Sequence, residues 1–272
     1  LGRTSESLTG RKYEFNLYPL MFSELIDHHG FINEKKSMED RLIFGSYPEV
    51  VTNQEERKVL ITSLAGSHLY KDVLMVDRIR NSVLIDDLLR ALALQTGSEV
   101  SSTELSRLTG ADRGTIDKYL RILEEAFIIF RLRGFSRNVR TELRKAKKYY
   151  FWDNGIRNAL IGNFNPLSAR TDTGALWENY IISERMKLLR TNRDDVFTWF
   201  WRTTQQQEID LLEERQGRFS PIEIKYNPKQ KGLISKTFTE NYDVSQTFVV
   251  NSGNYEAFLY PELFSDNKIP GK

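Results

Sequence analysis

Residues 208–225, EIDLLEERQGRFSPIEIK, constrain the fold of this chain more than any other stretch. Two apolar runs flank a turn-like Gln216-Gly217-Arg218, and the spacing predicts two strands paired through that turn. Side chains on a strand alternate between its faces. Glu223 and Lys225 therefore share one face, and Ile222, Ile224 and Tyr226 share the other. Asp210 lies on the preceding strand, inside Ile209-Asp210-Leu211-Leu212, and the hairpin brings it beside Glu223.

The neighbouring segments supply the rest of an α/β unit over residues 161–272. TGALWENYIISERMKLLR reads as an amphipathic helix, with Leu176, Trp177, Tyr180, Ile181 and Leu188 among its apolar residues. VFTWFWRT and QTFVVNS read as strands, and a second helix is weakly signalled around 231–243. The expected order is helix–strand–strand–strand–helix–strand.

Carboxylates on adjacent strands at a sheet end can hold a hard divalent cation through oxygen ligands. Asp210 and Glu223 are the candidate metal ligands, and Mg²⁺ suits them because it keeps several waters and uses few protein ligands. Lys225 can stabilise developing negative charge or orient a water. Glu178, on the preceding helix, supplies a third carboxylate. The bland alternative is a solvated strand face with a weak ion pair, which is common for a Glu-x-Lys by itself.

Residues 96–160 have a different character. SSTELSRLTGADRGTIDKYLRILEE reads as two short helices around a glycine turn. Ser102 or Thr103 is expected to cap the first, Gly110 to end it, and Asp112 to cap the second. Ile116, Leu120 and Leu123 form the inner face of the second helix, while Arg113, Thr115, Lys118 and Arg121 form its outer face. FIIFRLRGF and KKYYFWD then read as two strands joined by a basic connection. The whole predicts a winged helix-turn-helix whose second helix can enter a major groove. Net charge over the chain is only +2, yet residues 131–148 hold eight cations and one anion. Such a strip suits phosphate contacts, so Arg133, Arg137 and Arg140 join Arg113, Thr115 and Lys118 as expected nucleic-acid-binding residues. Winged domains also dock proteins, and that alternative stands beside DNA contact.

Residues 19–95 read as mostly helical, from apolar spacings of three and four in Leu42-Ile43-Phe44, Val59-Leu60-Ile61-Leu64 and Val83-Leu84-Leu88-Leu89-Leu92. Before them, Tyr13, Phe15 and Leu17 alternate as in a strand that Pro19 ends. The chain has no cysteine, which excludes disulfides and thiolate metal sites and fits a reducing, cytoplasmic location. Its three histidines are too few and too badly spaced for a zinc site. No run of about 18 apolar residues is present, so no membrane partner is expected.

Asp210, Glu223 and Lys225, with Glu178 in Gly174-Ala-Leu-Trp-Glu178-Asn179, resemble the motif of the PD-(D/E)XK nuclease superfamily. The departure is that Glu208-Ile209 stands before the aspartate where the motif has a proline. The wider series SESLTGRKYEFNLYPLMFSEL, GSYPEVV, YKDVL, YFWDNGIRNAL, GALWEN, EIDLL and IEIK is similar, in that order, to a prokaryotic family of predicted AAA-type ATPases with an appended C-terminal domain. The resemblance implies a multidomain α and α/β chain. Residues 1–95 would be the end of an ATPase core and its helical lid, 96–160 the winged helix-turn-helix, and 161–272 a restriction-endonuclease-like α/β domain. By the same analogy Arg11 is a candidate to face a nucleotide, with an ordinary surface arginine as the alternative. No G-x-x-x-x-G-K-[ST] loop occurs in the sequence, so ATP would be bound only by a full-length protein carrying the missing N-terminal core. The chain accordingly reads as a C-terminal portion beginning just after that core. Three functions are compatible with the reading: a DNA-binding protein with a Mg²⁺-dependent nuclease-like domain, a non-catalytic DNA- or protein-binding regulator on a retained scaffold, or an assembly role in which lid and winged helix serve ring or dimer contacts of a homo-oligomer and no DNA is bound.

Overall fold

Apolar spacings of three and four produce helices through the first part of the chain, whose computed structural model describes residues 16–68, 82–136 and 147–264. Phe22–His29 (α1), Phe31–Lys36 (α2), Met38–Phe44 (α3), Pro48–Thr52 (α4) and Arg57–Ser63 (α5) follow in series, and Ser82–Leu94 (α6) comes next. Leu84, Leu88, Leu89 and Leu92 of α6 are buried, whereas Val59 and Val83 lie on exposed flanks. The strand expected through Tyr13 and Phe15 falls outside the described residues. Leu17 belongs to no strand and is exposed.

Ser102–Thr109 (α7) and Arg113–Glu125 (α8) form the expected helix pair. Gly110 ends α7 at φ 73, and the Asp112 side chain caps α8 by accepting the Thr115 N–H. The first cap corrects the sequence reading: Ser101, not Ser102 or Thr103, accepts the Glu104 N–H. Ser101 has the extended backbone that a cap requires, whereas Ser102 is already helical. Ile116, Leu120 and Leu123 are buried as expected, together with Tyr119 and Ile122.

Ile129–Gly134 (β2) and Lys147–Phe151 (β3) are antiparallel, with Glu99–Val100 (β1) on the outer side of β3. Phe197–Arg202 (β4), Glu208–Arg215 (β5) and Arg218–Ile224 (β6) form an antiparallel meander, and Phe248–Val250 (β7) runs parallel to β6. These strands make one sheet in the order β1-β3-β2-β4-β5-β6-β7. The two groups meet where β2 pairs parallel with β4, at Arg133–Trp199 and Gly134–Phe200. The fold is thus mixed α/β on a seven-stranded mixed sheet. Thr173–Thr191 (α10), then β4, β5 and β6, then Lys236–Asn241 (α11) and β7, reproduce the expected element order.

The sequence pattern predicts an amphipathic α10, but the helix is covered on almost every side. Trp177, Tyr180 and Ile181 pack with Phe130, Tyr150 and Leu211 of the sheet. Asn179, Ser183, Glu184 and Lys187 are buried too. Their polar groups are satisfied, partly within the helix and partly by other segments, as burial demands. Glu184 accepts the Phe22 N–H at 2.7 Å and pairs with Lys187 at 2.7 Å. Asn179 accepts the Phe151 N–H and donates to the Phe151 carbonyl. Removing the wholly buried Trp177 indole would cost about 3–5 kcal/mol.

Asn154–Ile161 (α9) locks the first helices to this frame. Asp153 caps it and also accepts the Ser46 N–H at 2.7 Å. Asn158 donates to the Leu42 and Ile43 carbonyls at 2.9 Å each. A Cβ on Gly155 would overlap the Phe44 carbonyl, so only glycine allows this approach. The segments GSYPEVV and YFWDNGIRNAL, separate in sequence, meet at this joint. Among the described residues no helix is long and apolar enough to cross a membrane.

Candidate functional site

The 208–225 stretch folds as a two-residue hairpin. Gln216 and Gly217 have φ of 53 and 79, the pair of positive values that matches the twist of the flanking strands. Pairing runs from Arg215–Arg218 to Leu211–Ile222. Ile222 and Ile224 join the core under α10, with Tyr226 packed against it. That is the face partition expected from alternation.

Asp210 departs from simple alternation. Trp199 pairs with Leu212 and Trp201 with Ile209. One β4 residue, Phe200, therefore stands opposite both Leu211 and Asp210, which is a β-bulge in β5. Leu211 enters the core with Phe200, and Asp210 is the extra residue. Its carboxylate accepts the Ile224 N–H at 2.8 Å, where the β5–β6 pairing has stopped. A side-chain oxygen takes the place of the next backbone acceptor and fixes the carboxylate between two strands.

Asp210, Glu223 and Lys225 come together as expected. The Lys225 ammonium lies 2.6 Å from Glu223 Oε1 and 3.9 Å from Asp210 Oδ2. Both carboxylates are buried, while the lysine is partly open to solvent. Burial pushes Asp210 up, Glu208 adds to the rise, and Lys225, the Ile224 N–H and Lys148 oppose it. Burial and the charge of Asp210 raise Glu223 against the pull of Lys225. Burial works to lower Lys225, but Glu223 and Asp210 outweigh it and hold the ammonium above its ordinary value.

Glu178 joins the same field from α10. Burial pushes its carboxyl up to about 7, and the negative charge of Asp210 adds to the rise against Lys148 and Tyr150. Its Oε1 accepts the Tyr150 hydroxyl at 2.7 Å and lies 3.4 Å from Lys148 Nζ. The Gly97 backbone, at φ +79, passes over this carboxylate.

Three participants were missed in the sequence: Lys148, Tyr150 and Glu208. Lys148 reads as one more cation of the basic strip, yet its side chain is only 3% exposed and it reaches Glu208 Oε1 at 2.6 Å. Tyr150 lies two residues along β3, on the same face. The signal available was that alternation, since Lys148 and Tyr150 share a face of a strand whose apolar content predicts burial. A cavity of about 330 Å³ adjoins the cluster, lined by Glu99, Phe200, Arg202 and Gln206 among others. Arg202 connects its wall to Glu99 and to Glu208, at 3.4 and 3.8 Å.

Hard oxygen donors converging on one positive point fit the chemistry of Mg²⁺. Asp210 and Glu223 are the side chains that would hold it, because each reaches the Lys225 ammonium and each keeps a second carboxylate oxygen. Among the described residues no group of three or more His, Asp or Glu side chains forms a metal centre. An ion there would complete its shell with water.

The expected nucleic-acid contacts are only partly accounted for. Arg113 and Lys118 are exposed on α8, and Arg133 is exposed on β2. The Thr115 hydroxyl donates to Asp112 at 2.6 Å, at the cap of the same helix. Within the basic strip, Arg131 is paired with Glu124 at 3.4 Å and Lys148 is buried, so those two charges do not face solvent as a strip would. Arg137 and Arg140, like Arg11, lie outside the described residues.

Two family models match the chain. A domain of unknown function, DUF8612, covers residues 35–167, and another, DUF4143, covers residues 173–262. The chain is similar to an uncharacterized protein of Haemophilus influenzae, 27% identical over 59% of this chain and 43% of that one. An uncharacterized protein of Mycobacterium tuberculosis is 31% identical over 49% of this chain and 30% of its own length. One from Methanocaldococcus jannaschii is 25% identical over 76% of this chain and 48% of its own. The chain therefore spans less than half the length of these relatives. No solved structure matches.

Proposed function

We propose that this chain is the C-terminal part of an AAA-type ATPase, that it grips DNA through a winged helix over 96–160, and that residues 161–272 form a PD-(D/E)XK nuclease-like domain acting with Mg²⁺. The observation that carries the reading is the meeting of Asp210, Glu223 and Lys225 at a strand bulge, with Glu178 in the same field. Carboxylates raised together in a buried cluster mark a site held ready for a positive partner. The element order from α10 to β7 supports the fold assignment. The length of the relatives leaves room for an ATPase core.

In this reading Asp210 and Glu223 hold the ion. Bound there, Mg²⁺ would polarise a phosphate oxygen and make an attacking water more acidic. Lys225 places an ammonium where negative charge develops on the phosphate. Glu178, its carboxyl raised to about 7, can hold or release a proton at Oε2, the oxygen that the Tyr150 hydroxyl does not take.

The test is incubation of plasmid and oligonucleotide DNA with Mg²⁺ or Mn²⁺, comparing wild type with Asp210→Ala. Cleavage by the wild type alone is expected. Cleavage by both proteins would remove the site from the reaction.

A second reading has its own support. Lys225 already sits between Asp210 and Glu223, and Lys148 between Glu178 and Glu208. A cluster in which each carboxylate already has a lysine beside it suits a retained scaffold that binds DNA or protein without cutting. Salt-dependent DNA affinity with no cleavage under either metal would select it.

A further inference from the structure

Glu178, Asp210, Glu223 and Lys225 all lie within the family match over residues 173–262, yet the most buried cation of the cluster comes from elsewhere. Lys148 stands on β3, inside the segment matched by the other family model. Its ammonium lies 2.6 Å from Glu208 and 3.4 Å from Glu178. Its stem passes over the Phe200 ring, with Nζ 5.4 Å from the centroid. Tyr150 on the same strand donates to the same Glu178 oxygen. These contacts span the sheet from β3 to β5 and reach across to α10.

We propose that Lys148, steadied by Tyr150, is a positioning residue of the site: it neutralises Glu178 and Glu208, so that Asp210 and Glu223 remain as the pair that takes a divalent cation. The inference rests on the metal-binding reading above, and it makes the site composite, shared by the helix-turn-helix half and the last domain. The physical reason is charge balance. Glu178, Glu208, Asp210 and Glu223 share the cluster with two ammonium groups, and Lys225 is engaged by Glu223 and Asp210. Without Lys148, Glu178 would lose its cationic contact and Glu208, partly open to solvent, would keep only the more distant Arg202 at 3.8 Å. Buried charges left unpaired are strongly unfavourable, whereas a cation that matches them is not required to add net stability.

The experiment uses the whole chain as wild type, Lys148→Met and Lys148→Arg. Mn²⁺ binding is followed by calorimetry, and thermal unfolding is followed in a chelator. Affinity for a hard cation follows the carboxylate charge available to it. Lys148→Met should therefore tighten Mn²⁺ binding by roughly tenfold, and Lys148→Arg should restore the wild-type value. Unchanged or weaker binding by a folded Lys148→Met protein would overturn the proposal. Should the wild type bind no Mn²⁺, the metal reading fails separately, and the chelator melts still decide the role of Lys148. There, Lys148→Met should lower the melting temperature, and adding Glu178→Gln and Glu208→Gln should recover most of the loss. Strictly additive losses would show that Lys148 serves packing alone and overturn the assignment.

Discussion

Asp172 and Glu178 lie on the same helix, one at its N-cap and the other in its second turn, yet their surroundings drive them in opposite directions. Burial acts to raise Asp172, but Arg170 and Arg157 outweigh it and bring the carboxyl down to about 2. Arg157 reaches it at 2.5 Å and Arg170 at 2.8 Å. Glu178 is pushed up to about 7. Two guanidinium groups serve one carboxylate at the first place, whereas carboxylates outnumber ammonium groups at the second. The first arrangement is a finished structural joint: Arg157 also donates to the Ala93 carbonyl, and Arg170 to the Asn163 carbonyl. The second has unmet charge. Burial alone does not mark a functional cluster; the balance of charge within it does.

Breaking the joint should give the largest effect on stability. Asp172→Ala would leave Arg157 and Arg170 buried, at 3% and 0% side-chain exposure, without their carboxylate. The expected loss is about 3 kcal/mol, toward the low end for a buried pair because Asp172 is itself partly exposed. Chemical denaturation measures it, and a loss near zero would put the two clusters on an equal footing.

The next effect depends on pH. Glu178 is raised from 4.5 to about 7, so the folded protein holds its proton where the unfolded chain has released it. The contribution of Glu178 is complete below its ordinary value and is lost as pH rises through 7. Glu178→Gln should thus match wild type near pH 4 and exceed it by roughly 1–3 kcal/mol near pH 8. Asp172 has the opposite sign. Its contribution is present above 3.8 and disappears as pH falls toward 2. Unfolding curves at a series of pH values should show both variants departing from wild type as pH rises, Glu178→Gln toward higher stability and Asp172→Ala toward lower, and parallel curves would erase the contrast.

The mildest effect concerns the outer surface. If α8 contacts phosphates, Arg113→Gln should weaken DNA binding evenly across sequences and reduce the salt slope by about 1. An unchanged slope would take α8 out of the interface and leave docking to a protein as its role.

Local physics was legible in the linear chain. Alternation in Ile222-Glu223-Ile224-Lys225 assigned faces, because strand geometry has period two and apolar side chains choose the buried side. Gly110 and Asp112 marked a helix end and a helix start, because φ of 73 favours glycine and exposed N–H groups need an acceptor. Where those local rules compete with distant partners, sequence reading falls short. Ser101, not Ser102, took the cap of α7, and the Thr115 hydroxyl was engaged by Asp112 at the helix surface. Alternation with Tyr150 set Lys148 on a buried face, but nothing in KAKKYY shows that Glu178 and Glu208 will close around it.

The sequence by itself determined that residues 208–225 pair through Gly217 and bring Asp210 near Glu223 and Lys225, because those contacts are made within one hairpin. Only the tertiary structure decided that a bulge sets Asp210 between strands, that α10 is buried on almost every side, and that Lys148 crosses from β3 to meet Glu178 and Glu208. The reason is range: strand alternation acts over a few residues, whereas the matching of buried charges is settled only once distant strands have taken their places in one sheet.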